Sequence, residues 1–171
     1  LEQLYTWGSP DRDPRGRFIS TSHMGLINSD GIQLKPGKDV DEIAWFSICL
    51  EKVKEKTEEM KYGSRCTEEI VVELKNEKET LKNKVIVTRE YRKNNVVIRT
   101  KIVSSELAFD HVKQIVYAIE RLKNKVEYTT IAFNLMPEKF TLTKLQQTYE
   151  ILLNKPLLKA NFRRKISDMV S

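Results

Sequence analysis

Residues 141–166, TLTKLQQTYEILLNKPLLKANFRRKI, read as two short helices around a tight turn. Leu142, Leu145, Tyr149 and Leu152 recur at helical spacing, so the first helix has one apolar side. Asn154-Lys155-Pro156 ends it, because Asn suits a helix terminus and Pro opens a helix but does not extend one. In the second helix Leu158, Phe162, Ile166 and Met169 fall on one side. A turn of about 100° per residue then sets Ala160, Arg163, Arg164 and Ser167 opposite, with Lys159, Asn161 and Lys165 on the flanks. A small Ala among long donors lets a helix approach a groove closely while Arg and Asn reach phosphates or base edges. This spacing predicts a DNA-binding helix-turn-helix, and it is equally that of an amphipathic helix pair with a solvated basic face.

Charge bears on the choice. The chain has 171 residues and a formal net charge of +6. Lys139, Lys144, Lys155, Lys159, Arg163, Arg164 and Lys165 stand against Glu150 and Asp168 in the last 33 residues, which therefore hold +5 of that total. The basic excess sits where phosphate contacts would need it. With 40% hydrophobic and 32% charged residues the composition is that of a globular protein, and no run approaches the roughly 20 apolar residues that span a bilayer. Cys49 and Cys66 lack metal-ligand spacing and any redox motif, which favours free thiols in a reducing cytoplasm over a disulfide.

Upstream, residues 1–7 and 18–27 have strand character and are separated by the loop GSPDRDPRG at 8–16. Arg12, Arg15 and Arg17 around this loop suit an anion such as a diphosphate; the same spacing allows Asp11 and Asp13 to pair with them and stiffen the loop. IAWF at 43–46 predicts a buried strand carrying Trp45, and the charged stretch 51–61 a helix with a thin apolar side. Residues 69–74, 84–91 and 96–103 predict a β meander, with Asn94-Asn95 as a hairpin turn. Phe109, Val112, Ile115, Val116, Ile119, Leu122 and Val126 predict a long helix, with Asp110 in its first turn. Residues 128–140 then lead through a short strand or turn into the helix pair.

No catalytic residue is assigned. His23 and His111 are the two histidines, and a His opening a helix is more often packed than basic. Glu55, Glu58 and Glu59 invite comparison with the metal-binding helix of Nudix hydrolases. Lys56 stands where that pattern needs an apolar residue, Lys61 where it needs Gly, and Val40 and Phe46 at its upstream Gly and Glu positions. Magnesium-assisted pyrophosphate hydrolysis needs carboxylates converging on the metal, and no such set is legible.

Four stretches together, residues 1–20 (LEQLYTWGSPDRDPRGRFIS), 43–46, 107–133 (LAFDHVKQIVYAIERLKNKVEYTTIAF) and 140–166, resemble the Nudix-related transcriptional regulators of NAD metabolism, which join a Nudix-like domain to a C-terminal winged helix. Asn161-Phe162-Arg163-Arg164-Lys165 is the most specific part of the resemblance, and residues 60–102 the least typical. It implies an α+β chain with a partial Nudix-like β-rich domain at 1–105, and a linking helix with a winged helix-turn-helix domain at 106–171. It further implies a C-terminal portion that lacks the Nudix box, with the wing to follow Ser171. The implied function is effector-responsive regulation of NAD-related genes in the cytoplasm. Lys159, Asn161, Arg163, Arg164 and Lys165 would contact double-stranded DNA, and Arg12, Arg15 and Arg17 an ADP-ribose-like nucleotide. A homodimer is expected, and no cofactor, with magnesium relevant only if a Nudix box lies upstream. The alternatives are a nucleotide pyrophosphatase whose box precedes this chain, and a domain whose basic helix packs on an acidic protein.

Overall fold

The computed structural model describes every residue except Asp30, Asp39 and Ser171, and the backbone alone of Met169 and Val170. The predicted place of the Met169 side chain on the apolar face therefore lies outside the described residues. Strands β1 (Glu2–Trp7), β2 (Ser20–Met24), β3 (Ser47–Met60), β4 (Gly63–Lys75), β5 (Thr80–Arg92) and β6 (Asn95–Ser104) precede α1 (His111–Tyr128), a 3-10 turn (Ile131–Leu135), α2 (Leu142–Leu153) and α3 (Lys159–Val170). β1 and β2 pair with each other, and β3 to β6 form an antiparallel meander in chain order. The fold is α+β. Two compact units can be distinguished, one of Gly8–Ile19 and Leu34–Val116 and one of Leu1–Trp7, Ser20–Gln33 and Tyr117–Ser171.

In the first unit, alternation along β4 and β5 puts Ile70, Val72, Leu74, Val85 and Val87 on one sheet face, where they pack with Val112 and Val116 of α1. Full burial of each such side chain contributes roughly 1.5–3 kcal/mol. Asn83 sits in this apolar row of β5 and is itself buried. Its carbonyl oxygen accepts from Ser105 Oγ at 2.9 Å and the Glu106 amide at 2.9 Å, and its amide donates to the Val72 carbonyl at 3.3 Å. A buried amide must be satisfied, and here satisfying it ties β6's exit to the sheet.

Several expectations are corrected here. Residues 51–61 are not helical: all but Lys61 belong to β3, which pairs with β4 from Ser47–Lys75 to Met60–Gly63. The Glu/Lys composition favours a helix locally, but β3 is an edge strand, where charged side chains stay wet and deter pairing with other chains. IAWF is not a buried strand. The ladder ends at Ser47, so Ile43 and Trp45 have no pairing partner and lie exposed, and Phe46 alone of that run packs on the core. The β5–β6 turn is Lys93-Asn94, one residue earlier than predicted, with Arg92 facing Asn95. Phe109 precedes α1 at φ 51° instead of joining its stripe.

In the second unit, Leu122 and Val126 of α1, Ala132 of the 3-10 turn, Leu145 and Tyr149 of α2, and Phe162 and Ile166 of α3 close one core. Thr141 caps α2, its hydroxyl accepting from the Lys144 amide at 3.1 Å. Asn154 ends it at φ 51° and ψ 41°, the left-handed conformation that Asn tolerates better than most residues. Beside these helices, Trp7 Nε1 of β1 donates to Ser22 Oγ of β2 at 2.7 Å.

Candidate nucleic-acid interface

α3 begins at Lys159, not at Pro156, and its first helical hydrogen bond runs from the Phe162 amide to the Leu158 carbonyl at 2.9 Å. Leu158 is thus ahead of the helix, its predicted burial does not hold, and it is 75% exposed. Leu157 packs on the core in its stead. From Lys159 onward the predicted division is realised. Phe162 and Ile166 are buried, while Lys159, Ala160, Asn161, Arg163, Arg164 and Ser167 are exposed and Lys165 is half-buried. Among the described residues, Lys159, Arg163 and Arg164 form no ion pair, so their donors face solvent.

The turn before α3 is held by side chains that periodicity does not reveal. Glu150 Oε1 accepts from the Leu157 amide at 2.9 Å and from Gln146 Nε2 at 3.0 Å. Gln146 Nε2 also donates to the Leu157 carbonyl at 2.9 Å. The Leu157 amide and then Gln146 hold the Glu150 carboxyl below its ordinary range. Lys155 in the turn pairs with Glu127 of α1 at 3.0 Å. Glu127, Lys155, Asn161 and Lys165 border a cavity of about 190 Å³ against Tyr149 and Phe162. α3 is therefore presented by a clamped turn, with its basic side outward.

In the arginine-rich loop the predicted pairing within the loop is realised between Asp13 and Arg15, whereas Arg12 finds its partner far along the chain. Arg12 is buried and grips Asp110, 98 positions along the chain, through Nε to Oδ2 and NH2 to Oδ1, both at 3.0 Å. Burial pushes Asp110 up, but Arg12, with Gln114, outweighs it and holds the carboxyl below its ordinary value. Asp110 stands just ahead of α1, which begins at His111, and not within its first turn as predicted; there it pairs with Arg12. Arg15 pairs with Asp13 at 2.8 Å and lies over the rings of Phe109 and Phe18, at 4.7 Å and 5.5 Å from their centroids. Arg17 and Asp11 are exposed. Arg12 serves the loop's frame, whereas Arg15 and Arg17 reach solvent.

Arg15's guanidinium, together with its own amide, holds Asp13 at about 2 against a burial effect in the other direction, where the ordinary value is 3.8. A lowered carboxyl stabilises the fold above the unfolded value and loses that contribution as pH falls through the folded one. Acid unfolding between pH 3.8 and about 2 is therefore expected to be shallower in Asp13→Asn than in the parent chain. Denaturant midpoints followed across that window check it, and identical profiles would refute the assignment.

One further cluster was not legible in the sequence. Strand pairing sets Glu55 opposite Glu68 and Thr57 opposite Cys66, bringing the ligating atoms of Glu55, Cys66 and Glu68 within 4.8 Å of one another. Lys52 pairs with both carboxylates, and Arg89 with Glu68, so their charge is already balanced by cations. Cys49 and Cys66 are free thiols. His111 packs edge-on to Phe109, with ring centroids 5.8 Å apart.

Residues 132–170 match the family described as the NrtR DNA-binding winged helix domain. Over 61 residues the chain is 49% identical to a protein of Acinetobacter baylyi named ADPR responsive transcriptional repressor NtrR. That match covers 36% of this chain and 24% of the relative, so the chain spans about a quarter of the length of the protein it matches. Both α2 and α3 lie within the matched segment 132–170.

Proposed function

We propose that this chain is the DNA-contacting part of a transcriptional regulator that responds to an ADP-ribose-like nucleotide and controls NAD-related genes. The observation that carries the reading is α3: a basic, solvent-facing side opposite Phe162 and Ile166, inside a segment that matches a DNA-binding family. Lys159, Arg163 and Lys165 position the helix on phosphates, and Asn161 and Arg164 reach base edges. A homodimer places two such helices on a roughly two-fold operator, in the cytoplasm. The relative's printed name supports the nucleotide effector. On this chain Arg15 and Arg17 contact its phosphates while Arg12 holds the loop through Asp110. The reading calls for no metal and no catalytic residue.

Duplex genomic fragments, titrated with the full chain at rising salt, test it. The logarithm of the binding constant is expected to fall linearly with the logarithm of salt, by about 0.9 per phosphate neutralised. Retention that does not respond to salt, or none at all, would rule the reading out. Added ADP-ribose is expected to release the DNA, and release by adenine alone would remove the phosphate-gripping role of Arg15 and Arg17.

A further inference from the structure

On the β4–β6 face that carries Glu90, away from the apolar core, three arginines converge on one buried carboxylate. Glu90 of β5 is 5% exposed. Arg65 reaches it at 2.9 Å, Arg92 at 2.8 Å and Arg99 at 3.4 Å. The pairing explains the convergence: Arg65 is directly opposite Glu90 across β4–β5, Arg92 is two residues along β5, and Arg99 is its diagonal neighbour on β6. Arg92, followed by Arg65, holds the Glu90 carboxyl below its ordinary range, so the carboxylate stays charged beneath them.

One carboxylate cannot use what three guanidiniums offer. Each guanidinium carries five N–H donors, and a carboxylate has about four lone-pair sites. Two positive charges remain over, on side chains that are 43%, 58% and 63% exposed. Arg65 and Arg99 border a surface depression of about 510 Å³, to which Thr67 and Thr88 bring hydroxyls and Lys101 a further cation, while Arg92 holds Glu90 from outside its lining. Among the described residues the lining has no aromatic ring to stack a base, and Ile86 is its single apolar side chain. The chemistry offered is planar donors, hydroxyls and net positive charge on a rigid sheet, and tetrahedral oxyanions are bound in that way.

We propose that Arg65, Arg92 and Arg99, gathered by Glu90, form an oxyanion site that takes a phosphate group, carried by a free phosphate compound or by a nucleic-acid backbone. The site is separate from α3 and does not depend on the reading of that helix. Calorimetric titration of the full chain with inorganic pyrophosphate tests it. Arg99→Ala is expected to weaken binding about tenfold, since one charge-assisted donor set is lost. Lys78→Ala, which removes an equal charge in the turn between β4 and β5, is expected to leave binding unchanged. Absence of pyrophosphate binding, an unaltered Arg99→Ala, or an equal loss in Lys78→Ala overturns the proposal.

Should Arg99→Ala fail to fold, Glu58→Gln decides. Glu58 is a half-exposed carboxylate in the lining, so its neutralisation is expected to raise pyrophosphate affinity, and no gain overturns the site. The source of the phosphate is then separated with duplex DNA, using a chain that carries Arg163→Ala and Arg164→Ala. Weaker DNA retention on adding Arg99→Ala assigns the nucleic-acid backbone; unchanged retention together with lost pyrophosphate binding assigns a free phosphate compound.

Discussion

Arg163→Ala combined with Arg164→Ala is expected to lower affinity for duplex DNA on the order of a hundredfold and to reduce the salt slope by about one to two. The two side chains are exposed on α3, on the side away from Phe162 and Ile166, so their loss removes donors without opening the core. Stability should stay within about 0.5 kcal/mol of the parent, as for surface substitutions that touch no buried group. The single variants divide the effect. Arg163→Ala is expected to weaken binding to all sequences alike and to lower the slope by about one, as befits a phosphate contact. Arg164→Ala is expected to relax preference at one base position at a cost of about 1–3 kcal/mol. Band-shift titrations across salt, with folding checked by circular dichroism, make the comparison. Unchanged affinity and slope in the double variant would mean that α3 does not lie on DNA.

Phe162→Ala is the counterpart on the same helix, expected to act through stability. Phe162 is 3% exposed and meets Tyr149 edge-to-face with ring centroids 5.2 Å apart. Leu145, Tyr149 and Ile166 surround the space it fills, and all are buried. Truncating a buried Phe to Ala costs about 3–5 kcal/mol through lost transfer energy and the residual cavity. A loss of that size is comparable to much of a small domain's net stability. Denaturant unfolding followed by helical ellipticity should show it, and a loss below about 1 kcal/mol would mean that the α2–α3 packing described above is wrong. DNA binding should fall as well in Phe162→Ala, but by unfolding of α3, so folded protein at low temperature should recover more affinity than the arginine double variant does.

These two variants separate what α3 owes to local sequence from what it owes to its surroundings. The alternation of Phe162 and Ile166 with Arg163, Arg164 and Lys165 is written at a spacing of three and four residues, and the helix reproduces it. Where α3 starts is not local in that sense. Leu158 fits the apolar spacing yet is exposed, because Glu150 and Gln146 on α2 capture the Leu157 backbone and the helix opens only at Lys159. Gln146 and Glu150 are ordinary surface residues by type, and their role appears only once the chain has turned back on itself.

The same contrast runs through the sheet. β4 to β6 were legible because each is rich in Val, Ile and Thr, and in β6 apolar and charged residues alternate as in a strand with one wet face. β3 was not legible, since its Glu and Lys residues have better helical than strand propensity and its edge position leaves most of them exposed whichever element they form. The sequence by itself determined the apolar sides of α2 and α3, the basic side of α3, the stripe of α1 and the core strands, because each follows from a short-range period set by backbone geometry. Tertiary structure alone decided the partner of Arg12 at Asp110, the meeting of Arg65, Arg92 and Arg99 over Glu90, and the strand character of residues 51–60. Those depend on strand register and on contacts between residues far apart in the chain, and a periodic pattern carries no information about either.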